Sequence, residues 1–262
     1  MAEETARGPS RDTERQAEPL PVWRPDTPGV LDLLRKAEIR DYQLHPWGSN
    51  YTFTVVLDDG AQGQSLAMYK PRKGEAPLYD FPGGTLYLRE CAAYVVSQAL
   101  GWHFVPPTVI RDGPHGIGSM QLFIPTAQEA NYFTFRQERQ VELRRIAAFD
   151  CLANNADRKG GHCLLGLDSR LWGIDHGLTF HSVYKLRTVI WEFQGLPIPD
   201  PLLKDMEGLL TRLEKREPPT PELSELISSA ELDALCQRLA RLLTDQRYPE
   251  PGPWRSVPWP RI

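Results

Sequence analysis

Residues 51–57 are rich in β-branched and aromatic side chains, Asp58-Asp59-Gly60 breaks the run, and residues 65–70 return. That pattern predicts a β-hairpin with a loop longer than the two-residue minimum. Upstream, Thr27-Pro28 reads as an N-cap and first helical position, followed by the apolar stripe Val30, Leu31, Leu33 and Leu34. Over residues 86–100, Leu86, Ala93, Val96 and Leu100 recur near helical spacing, and Gly101 supplies the stop. Two more strands are predicted over 105–110 and 117–124, around Asp112-Gly113-Pro114. The period then becomes helical over 141–153. A short strand pair follows around Asp168-Ser169, and helices are predicted at about 200–215, 221–229 and 231–245. The expected class is therefore α+β, with a β-rich N-terminal lobe over 26–125 and a mainly helical C-terminal lobe over 126–248. Residues 1–25, polar and with Pro9, Pro19, Pro21 and Pro25, read as a disordered tail. Residues 249–262, PEPGPWRSVPWPRI, read as an extended tail that Trp254, Trp259 and Ile262 dock onto the fold.

Composition narrows the function classes. A chain of 262 residues with 41% hydrophobic residues can bury a sizeable core. Its net charge of −4 carries no footprint for nucleic acid or an anionic membrane. No apolar run approaches 18 residues, so no transmembrane segment is expected. The four cysteines are far apart, form no C-x-x-C pair and follow no secretory signal, which predicts a reducing, cytoplasmic setting. Cys151, His162, Cys163, His176 and His181 fall close together, but their spacing matches no common zinc pattern.

The candidate chemistry lies in four stretches: Met68-Tyr69-Lys70-Pro71, Arg89-Glu90, the loop Asn154-Asn155-Ala156-Asp157-Arg158-Lys159-Gly160-Gly161-His162, and Ile174-Asp175-His176-Gly177. Phosphoryl transfer from ATP needs a cation on the α/β-phosphates and a carboxylate to hold that cation. It also needs a carboxylate for Mg²⁺ and another to receive the acceptor's proton. Lys70, Glu90, Asp175 and Asp157 supply these groups in the chain order of a two-lobed kinase.

These stretches resemble the atypical kinases related to phosphatidylinositol 3- and 4-kinases and to HipA-like kinases, and more closely a group of bacterial proteins carrying that domain. The resemblance covers roughly residues 40–200. It implies a two-lobed protein-kinase-like fold and an ATP-dependent phosphotransferase acting on a protein or small hydroxyl acceptor. A non-catalytic nucleotide-binding regulator and a nucleotidyl transferase are the alternatives. Of the site, the resemblance implies catalytic roles for Asp157, Arg158, Lys70 and Glu90, and metal ligation by Asp175 and His162. Gln121 and Leu122 fall where such kinases touch adenine, and Ser49-Asn50 is the nearest candidate for covering phosphates. The implied cofactors are ATP and Mg²⁺. His162 stands where the family has Asn, and an imidazole suits Mn²⁺ better than Mg²⁺.

Overall fold

The computed structural model describes residues 23–46, 50–126, 130–253 and 255–262. The disordered tail expected over 1–25 lies almost wholly outside the described residues, as do Ser49 and Trp254.

The N-terminal part is helix α1 (Val30–Lys36), strands β1 (Glu38–Leu44), β2 (Phe53–Asp58) and β3 (Gln64–Pro71), helix α2 (Leu86–Ala99), and strands β4 (Thr108–Gly113) and β5 (Gly116–Leu122). The strands form one antiparallel sheet in the order β1-β2-β3-β5-β4. Strand alternation divides its faces. Phe53, Val55, Leu57, Tyr69, Met120 and Leu122 point to one face and pack with Trp23, Leu33 and Leu34 around α1. Met68, Lys70 and Gln121 point to the other, with Met68 directly opposite Gln121. Gly118 lets β3 and β5 come this close, since a Cβ there would lie 2.4 Å from the Lys70 carbonyl oxygen.

The C-terminal part is helices α3 (Tyr132–Phe135) and α4 (Gln140–Ala153), a two-stranded ribbon β6 (Cys163–Leu165) and β7 (Leu171–Gly173), and helices α5 (Asp200–Glu214), α6 (Thr220–Leu226) and α7 (Ser229–Asp245). Leu143, Ile146, Phe149 and Leu152 of α4 pack with Met206, Leu209, Leu235 and Leu239 in the largest core, which also takes in Val96 of α2. The α+β class with a β-rich first half and a helical second half is the one observed. No helix among the described residues is long and apolar enough to cross a membrane.

Several boundaries differ from expectation, each for a local reason. The first helix begins at Val30 behind a left-handed Gly29, not at Pro28. Thr27 instead closes a turn, its hydroxyl accepting the Arg24 N–H at 2.7 Å. The fourth strand starts at Thr108 because Pro106 and Pro107 have no N–H to donate. Strand β1 was not expected; it is an edge strand, exposed along most of its length, and so shows no apolar alternation. The C-terminal segment does lie on the fold, with Pro258 buried, but Trp259 is 75% exposed and Ile262 67% exposed.

Candidate active site

Three elements and one loop converge on a cleft of about 470 Å³ between the sheet and the helical part. Lys70 reaches it because β3 alternation turns it away from the Tyr69 core. Its Nζ bonds to Oε1 of Glu90 on α2 and, at 2.8 Å, to Oδ1 of Asp175 just beyond β7. His162, closing the loop after α4, sets its Nε2 3.1 Å from Oδ2 of Asp175. Asp157 lines the same cleft, and its Oδ2 lies 3.0 Å from the Lys159 ammonium. The sequence-predicted Lys70, Glu90, Asp157, His162 and Asp175 are thus brought together. Asn50 and Gln121 also line the cleft, although the Asn50 side chain already accepts the Ala76 N–H at 2.7 Å.

Two of the expected site residues are not in the cleft. Leu122 points into the sheet core, and its N–H donates to the Pro107 carbonyl at 2.9 Å. Arg158 is fully buried behind the loop. Its guanidinium lies on Asp150 of α4 at 2.9 Å and donates to the Ile174 carbonyl at 2.9 Å. It also reaches Nε2 of His176 at 2.7 Å. The His176 N–H in turn donates to Oε2 of Glu90 at 2.9 Å. One buried network therefore ties α4, the 157–162 loop, the Asp175 turn and α2 together. Arg158 positions the loop and touches no ligand space.

Sequence reading missed Asp150 and His176 as the anchors of this network. The available signal was an acid beside Ala147, Ala148 and Phe149 in an apolar helix, because a buried carboxylate requires a partner. Asn154 and Asn155 are structural too. Asn154 ends α4 in the left-handed region and donates to the His181 and Val183 carbonyls at 2.9 and 2.8 Å. Asn155 accepts the Asp157 N–H at 3.0 Å.

The electrostatics follow from burial and pairing. Burial works against the Lys70 ammonium, but Asp175 and Glu90 outweigh it and hold its pKa above the ordinary lysine value. Burial alone would raise Asp175; Lys70 and His162 instead hold its carboxyl well below the usual range. Asp157 is raised by burial, with Lys159 opposing, so its carboxylate is more basic than an exposed one. Of the two cations that follow Asp157 in the chain, Lys159 faces it, while Arg158 turns to Asp150. Burial lowers His162 to about 4, against the ordinary 6.5 expected for an unperturbed ring. The neutral ring fits these contacts with Nδ1 accepting the Lys159 N–H at 3.4 Å and Nε2–H donating to Asp175.

No protein-family model matches the chain. Over 247 residues it is 41% identical to Protein Rv2133c of Mycobacterium tuberculosis (strain ATCC 25618 / H37Rv), spanning 81% of this chain and 88% of that protein. The chain belongs to the family of that mycobacterial protein. It is also 27% identical over 165 residues to phosphatidylinositol 4-kinase gamma 4 of Oryza sativa subsp. japonica, a match spanning 56% of this chain and 26% of that one. Among solved structures it is similar to the Golgi casein kinase, with a TM-score of 0.54, 17% identity, and coverage of 83% of this chain and 74% of that one. The Mn/ADP-bound form of the Golgi casein kinase matches with a TM-score of 0.52 at 16% identity. The fold is protein-kinase-like, and the relation to phosphatidylinositol 4-kinases is present at a distance.

Proposed function

We propose that the protein transfers the γ-phosphoryl group of ATP to a hydroxyl acceptor. The observation that carries this reading is one lysine shared by two carboxylates, Glu90 and Asp175, with Asp157 opening on the same cleft. The α/β-phosphates of ATP would take over the Lys70 contact that Asp175 holds, while Glu90 keeps the ammonium aimed. That exchange frees Asp175, a half-exposed carboxylate beside the His162 imidazole. This oxygen and nitrogen pair fits a divalent cation, Mn²⁺ more readily than Mg²⁺, with phosphate oxygens completing the shell. The Mn/ADP-bound casein kinase of the same fold supports that choice. When bound, the cation would neutralise charge developing on the phosphates. Asp157 accepts the acceptor's hydroxyl proton as the new O–P bond forms, and the bond from Pγ to the β,γ-bridging oxygen breaks to leave ADP. The raised Asp157 pKa suits a base in this step.

Intact-mass spectrometry of the protein, and of added protein or polyol acceptors, after incubation with ATP and Mg²⁺ or Mn²⁺ tests the proposal. A gain of one phosphate is expected. A gain of AMP would make it a nucleotidyl transferase, and nucleotide-dependent thermal stabilisation with no mass gain a binding regulator. Asp157→Ala is expected to lower transfer by roughly 100-fold or more while nucleotide stabilisation persists. Asp175→Ala is expected to abolish the metal-dependent part of that stabilisation. If both variants bind and turn over like the wild type, the phosphotransfer assignment is wrong.

A further inference from the structure

Gly160 and Gly161 sit in the middle of the loop that carries Asp157 and His162. Two successive glycines lose the most backbone freedom on ordering, so this loop needs partners to hold it. Its other amides find them nearby. The Asp157 N–H donates to Asn155 Oδ1 at 3.0 Å, Arg158 to the Arg187 carbonyl at 3.0 Å, and His162 to the Lys159 carbonyl at 3.2 Å. The Gly160 N–H is different: it donates at 2.7 Å to the carbonyl of Arg261, far along the chain. A Cβ at Gly160 would meet Phe133 at 2.6 Å and the Arg261 carbonyl at 3.4 Å. A Cβ at Gly161 would lie 3.9 Å from Ile262 Cγ2. The glycines are therefore the surface on which the C-terminal segment rests.

That segment has a second anchor. The Ser256 carbonyl accepts the Thr188 N–H at 3.0 Å and the Trp191 Nε1–H at 3.0 Å. Thr188 is bridged to Arg158, whose carbonyl accepts the Val189 N–H at 3.1 Å. Segment 255–262 thus rests both on the loop and on residues 187–189 beside it, held by backbone carbonyls and by buried Pro258 while Trp259 and Ile262 stay exposed. Gly161 lines the cleft between Lys159 and His162, so a shift of the glycine pair moves both.

We infer that residues 255–262 are a strap that holds the 157–162 loop in the register turnover requires, a positioning role exercised through Lys159 and His162. Its effect on rate rests on the phosphotransfer reading; its effect on loop order does not. Lys70, which meets the phosphates, and Glu90, which aims it, do not touch the strap, whereas His162 joins Asp175 at the proposed cation site.

Hydrogen–deuterium exchange on two proteins decides this: a chain lacking 255–262, and full-length Trp191→Phe, which keeps the aromatic body and deletes one donor to Ser256. Exchange at the Gly160 amide is expected to rise by roughly tenfold or more in the first and by a smaller factor in the second. A peptide of residues 255–262 added in trans should restore protection. Phosphate transfer should fall by roughly tenfold in the shortened chain, with ATP-induced thermal stabilisation measured without divalent cation unchanged. Unchanged Gly160 exchange in the folded, shortened chain overturns the strap. A rise in transfer overturns it too, because the segment would then be an inhibitor. Should the shortened chain not fold, unchanged protection in Trp191→Phe overturns it on the same measurement. If no transfer occurs in any form, the exchange result still stands, so failure of the enzymatic reading is seen separately.

Discussion

At the scale of single residues, the site turns on how burial and pairing divide the work among its acids and its histidine. His162 is held neutral by burial, with Asp175 opposing and Arg158, Lys159 and Lys70 adding to the depression. A depressed histidine pKa means the unfolded chain binds the proton first. The stability this ring contributes is therefore present above the unfolded value of 6.5 and is lost as pH falls from there toward about 4. The His162 Cε1–H resonance is expected to titrate near 4 rather than 6.5. Observing the ordinary value would mean that the ring is solvated. Ligating a cation through Nε2 would further require the ring proton to move to Nδ1, at the expense of the Lys159 N–H bond. His162→Asn removes that requirement and restores an oxygen ligand, so Mg²⁺-supported transfer is expected to stay within about threefold of wild type or rise. The candidate residues lining the cleft were legible in the sequence because the four stretches that carry them occur in one chain order. Arg158 was read as a cleft residue because its side-chain direction depends on Asp150 and His176, whose pairing only the folded chain reveals.

At the scale of elements, the helices with clear apolar periodicity were legible, and the exceptions share a cause. Strand β1 buries almost nothing, so no pattern marks it. The helix α7 begins at a capping box, Ser228 with Glu231, which lies just ahead of the periodic run that predicted it. Glu231 also does a second job. Its Oε2 accepts the Ser228 N–H at 2.9 Å, and its Oε1 pairs with Arg89 Nη2 at 2.5 Å. Arg89 is buried on α2 next to Glu90 and also donates to the Thr179 carbonyl at 2.6 Å. The helix that aims Lys70 is therefore tied to α7 by this carboxylate, in addition to the apolar packing of Val96. Burial raises the Glu231 pKa, but the Ser228 hydrogen bond and Arg89 outweigh it, and the net shift is downward from 4.5. A lowered carboxyl contributes stability above its unfolded value and loses it as pH falls through the folded one. Glu231→Ala strands a buried guanidinium and is expected to cost about 3 kcal/mol at neutral pH. In urea titrations the gap between variant and wild type should narrow once pH drops below 4.5. A gap independent of pH would show that the cap, and not the charge pair, carries the effect.

At the scale of the whole molecule, the sheet half and the helical half are joined by a contact that no local pattern announces. The connection from β3 to α2 carries Asp80 and Phe81, and the chain beyond β7 carries His181 and Lys185. Lys185 Nζ lies 2.9 Å from Asp80 Oδ2, the Phe81 and His181 rings meet edge-on at 5.1 Å, and the Arg89 guanidinium covers Phe81 at 5.2 Å. This bridge joins the sheet half to the helical half, and Phe81 packs with Leu86 and Leu178, which line the cleft. Asp80 and Lys185 are 19% and 15% exposed, so the hydration they lose offsets most of their attraction and the pair's net contribution to folding stays small. Its leverage is expected on opening, if a nucleotide in the cleft is released as the two halves part. Lys185→Met is therefore expected to lower unfolding stability by no more than about 1 kcal/mol. The same variant should speed release of a fluorescent ATP analogue by about threefold or more, as loosening a closed lid does. Raising the salt concentration should speed release from the wild type and leave the variant unchanged. Equal release rates at low salt would mean that the halves separate elsewhere, and that the Phe81–His181 contact alone holds this edge.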